Sequence, residues 1–188
     1  MLDQDFFDRP VLEVSAALIG AELLFAGVGG KIVEVEAYDR TDPASHSFRG
    51  MTARNAAMFG PPGHAYVYQI YGMHFCLNFV CGPGSAVLIR ALQPMAGLEQ
   101  MRERRGGVRE KQLCSGPGKL AQALDIDLRH DGLALDTAPF ALLPAEGLPA
   151  IASGPRIGIT KGVEAPWRLG LAGSPFLSRP LPRPGAIL

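Results

Sequence analysis

An α+β domain is the fold class this sequence predicts, and three observations predict it. Runs of alternating β-branched and polar residues are joined by short glycine-bearing turns, as in β-hairpins. Other runs carry apolar residues at helical spacing. The 188 residues include 47% hydrophobic side chains, enough for one proper core. No repeat, linker or second domain is visible, so residues 1–188 read as one domain.

From the N-terminus, residues 8–19 place Val11, Leu12, Val14, Leu18 and Ile19 on one helical face, with Ser15 as its polar member. Residues 22–25 and 32–38 make a hairpin across Gly27, Gly29 and Gly30. Residues 39–50 form a polar loop holding Pro43, His46 and Arg49. Thr52 is placed to cap a short helix over residues 53–59, which Gly60-Pro-Pro-Gly63 stops. Residues 64–70 and 74–80 form a second hairpin around Tyr71-Gly72-Met73. A turn at residues 81–84 leads to a strand over residues 86–92. Helices are expected over residues 97–105 and 117–124, the second with proline near its start. Short strands follow near residues 133–135, 140–143 and 156–159. Residues 178–188, with three prolines, read as an extended tail.

Lys+Arg and Asp+Glu balance at 18 each. A basic stretch from Arg90 to Lys111 is nevertheless offset by an acidic N-terminus, so a basic patch is compatible with the neutral total. That acidic N-terminus is not a signal peptide. Glu22 interrupts the best apolar run, which leaves no membrane span. Cys76, Cys81 and Cys114 form no CxxC pair and no His/Cys ligand set, so they read as free thiols in a reducing compartment and point to no metal. Cytoplasm is the expected location.

The strand over residues 31–38 organises the chemistry. Alternation puts Val33, Val35 and Ala37 on one face and Ile32, Glu34, Glu36 and Tyr38 on the other. Either this is a strand with a solvated acidic face, or a carboxylate base stands beside an aromatic wall. Arg90 lies in an apolar strand, where it either pairs with Glu34 or Glu36 or snorkels to water from an edge. Asn78, also in an apolar strand, must find hydrogen bonds or offer them to a ligand. Tyr66 and Tyr68 share a strand face. Tyr71, at a hairpin corner, is either a local packing residue or a wedge between stacked bases. Ser115-Gly-Pro-Gly-Lys119 opens a helix whose free N–H groups suit either a capping side chain or a phosphate. Its spacing is not that of a P-loop. His46 is either a solvated loop histidine or a pocket residue.

Together these stretches resemble the alkyladenine (3-methyladenine) DNA glycosylases of the mammalian type. The resemblance runs through Ile32-Val-Glu-Val-Glu-Ala-Tyr38, His46-Ser47, Arg54-Asn55, Met58-Phe59 and Tyr66-Val-Tyr-Gln-Ile-Tyr-Gly-Met73 with Asn78. It continues through Leu88-Ile-Arg-Ala-Leu-Gln-Pro94, Gly97-Leu-Glu-Gln-Met-Arg102, Leu113-Cys-Ser-Gly-Pro-Gly-Lys-Leu120, Arg156-Ile-Gly-Ile159, Pro166-Trp-Arg168 and Gly173-Ser-Pro175. Nearly the whole chain is covered, in order.

The resemblance implies a curved, mostly antiparallel sheet with surrounding helices and a protruding β-hairpin. It implies a monofunctional glycosylase of base excision repair that flips damaged purines out of duplex DNA and hydrolyses the N-glycosidic bond. The implied substrates are 3-methyladenine and 7-methylguanine, with deaminated and etheno purines as further candidates. Glu36 matches the carboxylate that activates water, and Arg90 the cation that helps position that water. Tyr38, His46, Tyr68, Asn78, Ile157 and Gly158 match the base pocket, and Tyr71, Met73 and His74 the intercalating tip and minor-groove contacts. Ser115, Gly116, Lys119 and Arg54 match phosphate contacts. No cofactor or metal is implied, and no lysine matches a Schiff-base nucleophile. The expected form is a monomer on damaged double-stranded DNA, at the nucleoid, with no membrane partner and no N-terminal extension for other partners.

Leu169 and Ala172 depart from the family pattern, where an aromatic and a basic residue are common, and His74 stands where an aromatic is frequent. Two other functions fit parts of the pattern. A non-catalytic damaged-DNA-binding module would use the aromatic face and the basic helix. A glycosidase of free nucleosides would use Glu34 and Glu36 as an inverting pair, about 6.6 Å apart along the strand.

Overall fold

The computed structural model describes residues 1–181 of the chain. Its strands are β1 (Glu22–Phe25), β2 (Val28–Tyr38), β3 (Ala65–Ile70), β4 (His74–Gly82), β5 (Ser85–Ala96), β6 (Phe140–Leu143), β7 (Ile151–Gly154) and β8 (Arg168–Leu171). The helices are α1 (Gln4–Phe7), α2 (Val11–Leu18), α3 (Leu98–Arg104), α4 (Glu110–Leu113) and α5 (Pro117–Leu124). Every strand pairing is antiparallel, and the main path through the curved sheet runs β3-β4-β5-β2-β1-β6. β2 is the hub. β5 follows one edge, while β1 pairs with its first half and β8 with Glu34–Glu36 on the other.

The two faces of the sheet differ in kind. Val35, Val67, Leu77, Phe79 and Ile89 point into the main core with the buried residues of α2 and α5. The opposite face carries a smaller cluster of Met58, Tyr66, Val80 and Ala86, with Tyr38 and Tyr68 packed against it. Strand alternation produces this split directly.

Two bulges break the alternation where it matters. Ile32 pairs with Leu92 and Glu34 with Ala91, which leaves Val33 as an extra residue in β2. Val35 then pairs with Ile89, which leaves Arg90 as an extra residue in β5. A bulge re-aims side chains. Ile32 accordingly joins the core with Val35 and Ala37, and not the carboxylate face that simple alternation assigns it.

The glycines of the first hairpin also play a different part. Its turn is Ala26-Gly27, while Gly29 and Gly30 lie within β2. A Cβ on Gly29 would fall 1.9 Å from the Leu23 carbonyl oxygen, and one on Gly30 2.0 Å from that of Gln93. Close backbone approach, not turn geometry, is what requires glycine there.

Other local expectations change too. The helix over 53–59 is only a 3-10 turn, Ala56–Phe59, and Thr52 does not cap it. Instead Thr52 donates its N–H and hydroxyl to the Asn55 side chain, at 2.6 and 2.9 Å. The stretch 133–135 forms only a single bridge, Ala134 to His64. Residues 156–159 are not a strand: the ladder of β7 ends at Gly154, and Gly158 has a left-handed φ of +79°. The strand pairing with β2 here is β8, which periodicity did not reveal. Residues 178–181 are bonded into the fold, and 182–188 of the expected tail lie outside the described residues.

Candidate active site

Cross-strand register assembles the site. Tyr66 on β3 is opposite Asn78 on β4, Asn78 is opposite Leu88 on β5, Leu88 is opposite Glu36 on β2, and Glu36 is opposite Arg168 on β8. One row across five strands thus spans aromatic, amide, aliphatic and carboxylate groups. A second row places Tyr38 opposite Ala86 and Ala86 opposite Val80. A cavity of about 1300 Å³ opens over this face.

Glu36 is fully buried yet lines the cavity. Its Oε1 accepts from the Ile157 backbone N–H at 2.7 Å. Its Oε2 accepts from the Tyr38 hydroxyl at 2.9 Å and lies 3.3 Å from Arg90 Nη1. Burial, and then the neighbouring Glu36 charge, push the Tyr38 phenol up, so it remains the donor. Arg90 sits on an inner strand and is 7% exposed; it does not snorkel. It pairs with both candidate carboxylates, its Nε reaching Glu34 Oε1 at 3.1 Å.

Glu34 behaves differently. It is fully buried, does not line the cavity, and is enclosed by Arg90, Arg168 and Ser178. It has no open side for a water or a sugar, which removes the structural basis of an inverting pair with Glu36.

The base-pocket candidates converge. Tyr38, His46, Tyr68, Asn78, Ile157 and Gly158 all line the cavity. His46 Nδ1 is 2.9 Å from the Tyr66 hydroxyl, and its ring packs edge-on to Tyr68 at 4.5 Å. The His46 loop is held from below: Asn55 Nδ2 donates to the His46 carbonyl at 2.9 Å and to that of Gly50 at 3.2 Å. Asn78 Nδ2 donates to the Tyr66 carbonyl at 3.0 Å. Tyr38 is fixed on its other side by Arg156, whose guanidinium lies 4.7 Å from the Tyr38 ring and 5.2 Å from that of Trp167. Arg156 is itself buried against Asp42 and the Ala37 carbonyl.

Burial, and then the Arg54 charge, hold His46 below its ordinary pKa of 6.5. At neutral pH the ring is therefore neutral. The folded protein binds fewer protons here than the unfolded chain. Stability from this group is complete above 6.5 and declines as the pH falls below it toward the lowered folded value. An NMR titration should place His46 below 6.5, and Arg54→Ala should move it upward. No movement in that variant would remove Arg54 from the account.

The hairpin of β3 and β4 projects its corner into solvent. Tyr71 is 87% exposed, Met73 is 71% exposed, and His74 is exposed as well. Tyr71 holds φ +52° and Gly72 φ +72°. A left-handed φ is uncommon for an aromatic residue and costs of the order of 1 kcal/mol. Tyr71 borders the main cavity; Met73 and His74 do not. They line a neighbouring groove, where His74 rests on the first turn of α5: a Cβ on Gly118 would lie 3.1 Å from His74 Cβ.

The phosphate candidates divide. Arg54 lines the cavity and donates to the Gln69 carbonyl at 3.0 Å. Ser115, Gly116 and Lys119 do not line it, although Pro117 between them does. Ser115 is no cap for α5: Gly116 holds the cap position, and no side chain caps the helix. The arginines in and just after α3 are engaged within the chain. Arg104 donates to the Ala123 carbonyl, Arg105 to that of Leu113, and Arg102 pairs with Glu99. This weakens the basic helix as a binding face. Leu169, one of the departures, packs on the main core.

Several lining residues were not singled out from the sequence. Leu88 is visible only through register. Asp131 holds the Val67 N–H of edge strand β3 at 2.8 Å, and burial pushes its carboxyl up. Lys161, exposed in the loop after Gly158, also lines the cavity. Among the described residues, no three His, Cys, Asp or Glu side chains gather as a metal set. No described helix is long and apolar enough to cross a membrane.

The site thus sets a buried carboxylate on an aromatic-walled cavity, beside an exposed aromatic tip. Sequence comparison defines the class, a DNA N-glycosylase, an enzyme of DNA repair. The chain belongs to the methylpurine-DNA glycosylase family, whose model matches residues 5–175. A relative from Rhodopseudomonas palustris (strain HaA2), named "Putative 3-methyladenine DNA glycosylase", is 62% identical over 182 residues, covering 95% of this chain and 90% of the relative. Relatives of the same name from Rhizobium meliloti (60% identical; 94% and 96% covered) and Nitrosospira multiformis (55%; 96% and 95%) match similarly.

Proposed function

We propose that this chain, as one catalytic domain, is a monofunctional glycosylase that extrudes alkylated purines from duplex DNA and hydrolyses their N-glycosidic bond. The observation that carries the reading is Glu36: buried, facing the cavity, and held by Ile157, Tyr38 and Arg90. As the base departs, C1′ of the sugar gains positive charge. Glu36 stabilises that charge and takes a proton from the attacking water, while Arg90 steadies the pair.

The preferred substrates are 3-methyladenine and 7-methylguanine. Alkylation at N3 or N7 makes the purine cationic, and a cationic base is drawn to tyrosine ring faces such as those of Tyr38 and Tyr68. It also needs no protonation to leave. Neutral His46 accepts or donates one hydrogen bond without opposing the cation. Asn78 narrows the pocket against the exocyclic amine of guanine. Neutral lesions such as hypoxanthine lack the built-in leaving-group charge and are expected to react more slowly. Tyr71 fills the gap left in the duplex, with Met73 and His74 in the minor groove. Lys119, Arg54 and the open start of α5 meet phosphates. The protein acts as a monomer in the cytoplasm, on nucleoid DNA.

The test is base release from methylated duplex and from a hypoxanthine duplex, with chelator present and with borohydride in a parallel reaction. The reading expects methylpurine release in chelator, slower hypoxanthine release, and no borohydride-trapped adduct. A trapped adduct would mean that an amine acts as nucleophile, with Lys161 the candidate among the residues lining the cavity, and would make the enzyme bifunctional. Binding without release would favour the damage-recognition module.

A further inference from the structure

We propose that Glu34 is a positioning residue for Arg90, and that the segment at Ser178 forms part of the same device. The proposal rests on the reading that Glu36 and Arg90 act together on water. A guanidinium is a rigid planar fork, so fixing two of its nitrogens sets the third. Arg90 Nε bonds Glu34 Oε1 at 3.1 Å, and Nη2 reaches the Ser178 hydroxyl at 3.4 Å. Only Nη1 is directed to Glu36, at 3.3 Å. Glu34 is thus the anchor that leaves Arg90 a single contact with Glu36.

Glu34 is well held in turn. Its Oε1 also accepts from Arg168 Nη1 at 3.1 Å and from the Ser178 hydroxyl at 2.7 Å, and its Oε2 accepts from the Ser178 backbone N–H. Arg168 is tied to the carbonyls of Pro155, Arg179 and Pro180, so the C-terminal segment is strapped to the back of the site. The strap lies close: a Cβ on Gly170, opposite Glu34, would fall 2.5 Å from Leu181. Two carboxylates face two guanidiniums in this cluster, so formal charges cancel. Without the Glu34 charge, Arg90 is free to close on Glu36 with more than one nitrogen. That would occupy the carboxylate oxygen needed by water.

A buried ion pair with a purely structural role would change folding and leave the chemistry of the folded enzyme alone. The experiment compares wild type, Glu34→Gln, Arg90→Gln, the double variant and Ser178→Ala. It reads the single-turnover rate on methylated duplex, binding to the same duplex, and the thermal midpoint. Glu34→Gln should slow the single-turnover step by about tenfold to a hundredfold, with binding nearly unchanged. On the Arg90→Gln background it should add nothing, because its effect passes through Arg90. Ser178→Ala should slow the same step to a lesser degree. A wild-type rate in folded Glu34→Gln, or losses that multiply with Arg90→Gln, would overturn the proposal. If Glu34→Gln does not fold, an unchanged rate in Ser178→Ala overturns it instead. Wild-type protein that releases no methylpurine would sink the underlying reading, and the proposal with it.

Discussion

Glu36→Gln is expected to lose excision of methylated purines while still binding damaged duplex. The substitution keeps the size of the side chain and its acceptor for the Ile157 N–H, so the loop at 156–159 should stay docked. On the proposed mechanism, it removes the charge that stabilises an oxocarbenium-like C1′ and the base that takes a proton from water. General-base assistance alone contributes roughly 10²–10⁴-fold. The measurement is single-turnover base release beside a binding titration on the same duplex. Release near the wild-type rate would mean that another group activates water. Glu34 is a poor substitute, because Arg90, Arg168 and Ser178 already occupy it.

Tyr71→Ala is expected to produce the second-largest loss, and in a different step. Extruding a base costs a few kcal/mol of stacking and pairing. An aromatic group in the vacated space restores roughly 1–3 kcal/mol of stacking. Removing it should therefore lower the population of the extruded state by about tenfold to a hundredfold. Tyr71 is 87% exposed and held at φ +52°, so alanine there leaves no core cavity and the thermal midpoint should barely move. Tyr71→Phe should keep most of the rate, since the ring face and not the hydroxyl fills the gap. On a lesion in single-stranded DNA the defect should shrink, because there is no partner strand to compete for the base. An unchanged rate on duplex for Tyr71→Ala would reduce the tip to a surface contact.

Much of the site was legible in the sequence because strand chemistry is local. Alternation in β2 placed Glu34, Glu36 and Tyr38 together, and alternation in β3 placed Tyr66 and Tyr68 together. An arginine in the apolar run of β5 called either for a carboxylate or for water at an edge, and the structure pairs it with Glu34 and Glu36. The turn residues Tyr71 and Gly72 announced a hairpin corner, and the structure leaves the Tyr71 side chain exposed there.

Other features were not legible, for reasons that are equally physical. Ile32 joined the core because Val33 is bulged, and a bulge depends on the partner strand. Gly29 and Gly30 read as a turn but mark close backbone approach, which no local pattern distinguishes. The stretch 156–159 reads as strand, yet it is a loop fixed by Arg156 against Asp42 and by Ile157 against Glu36. Those partners are more than a hundred residues away in sequence, as the separations of 114 and 121 show.

The sequence by itself determined the α+β class, the hairpins, the family and the candidate side chains that line the cavity, because each rests on residue type and short-range spacing. Only the tertiary structure decided which carboxylate faces the cavity and which is locked behind it. Both occupy the same face of one strand, and nothing local separates them. The difference comes from the far end of the chain. Arg168 and Ser178 close over Glu34, while the Ile157 loop holds Glu36 toward the cavity. Which charge is free to act is set by contacts that exist only once the chain has returned on itself.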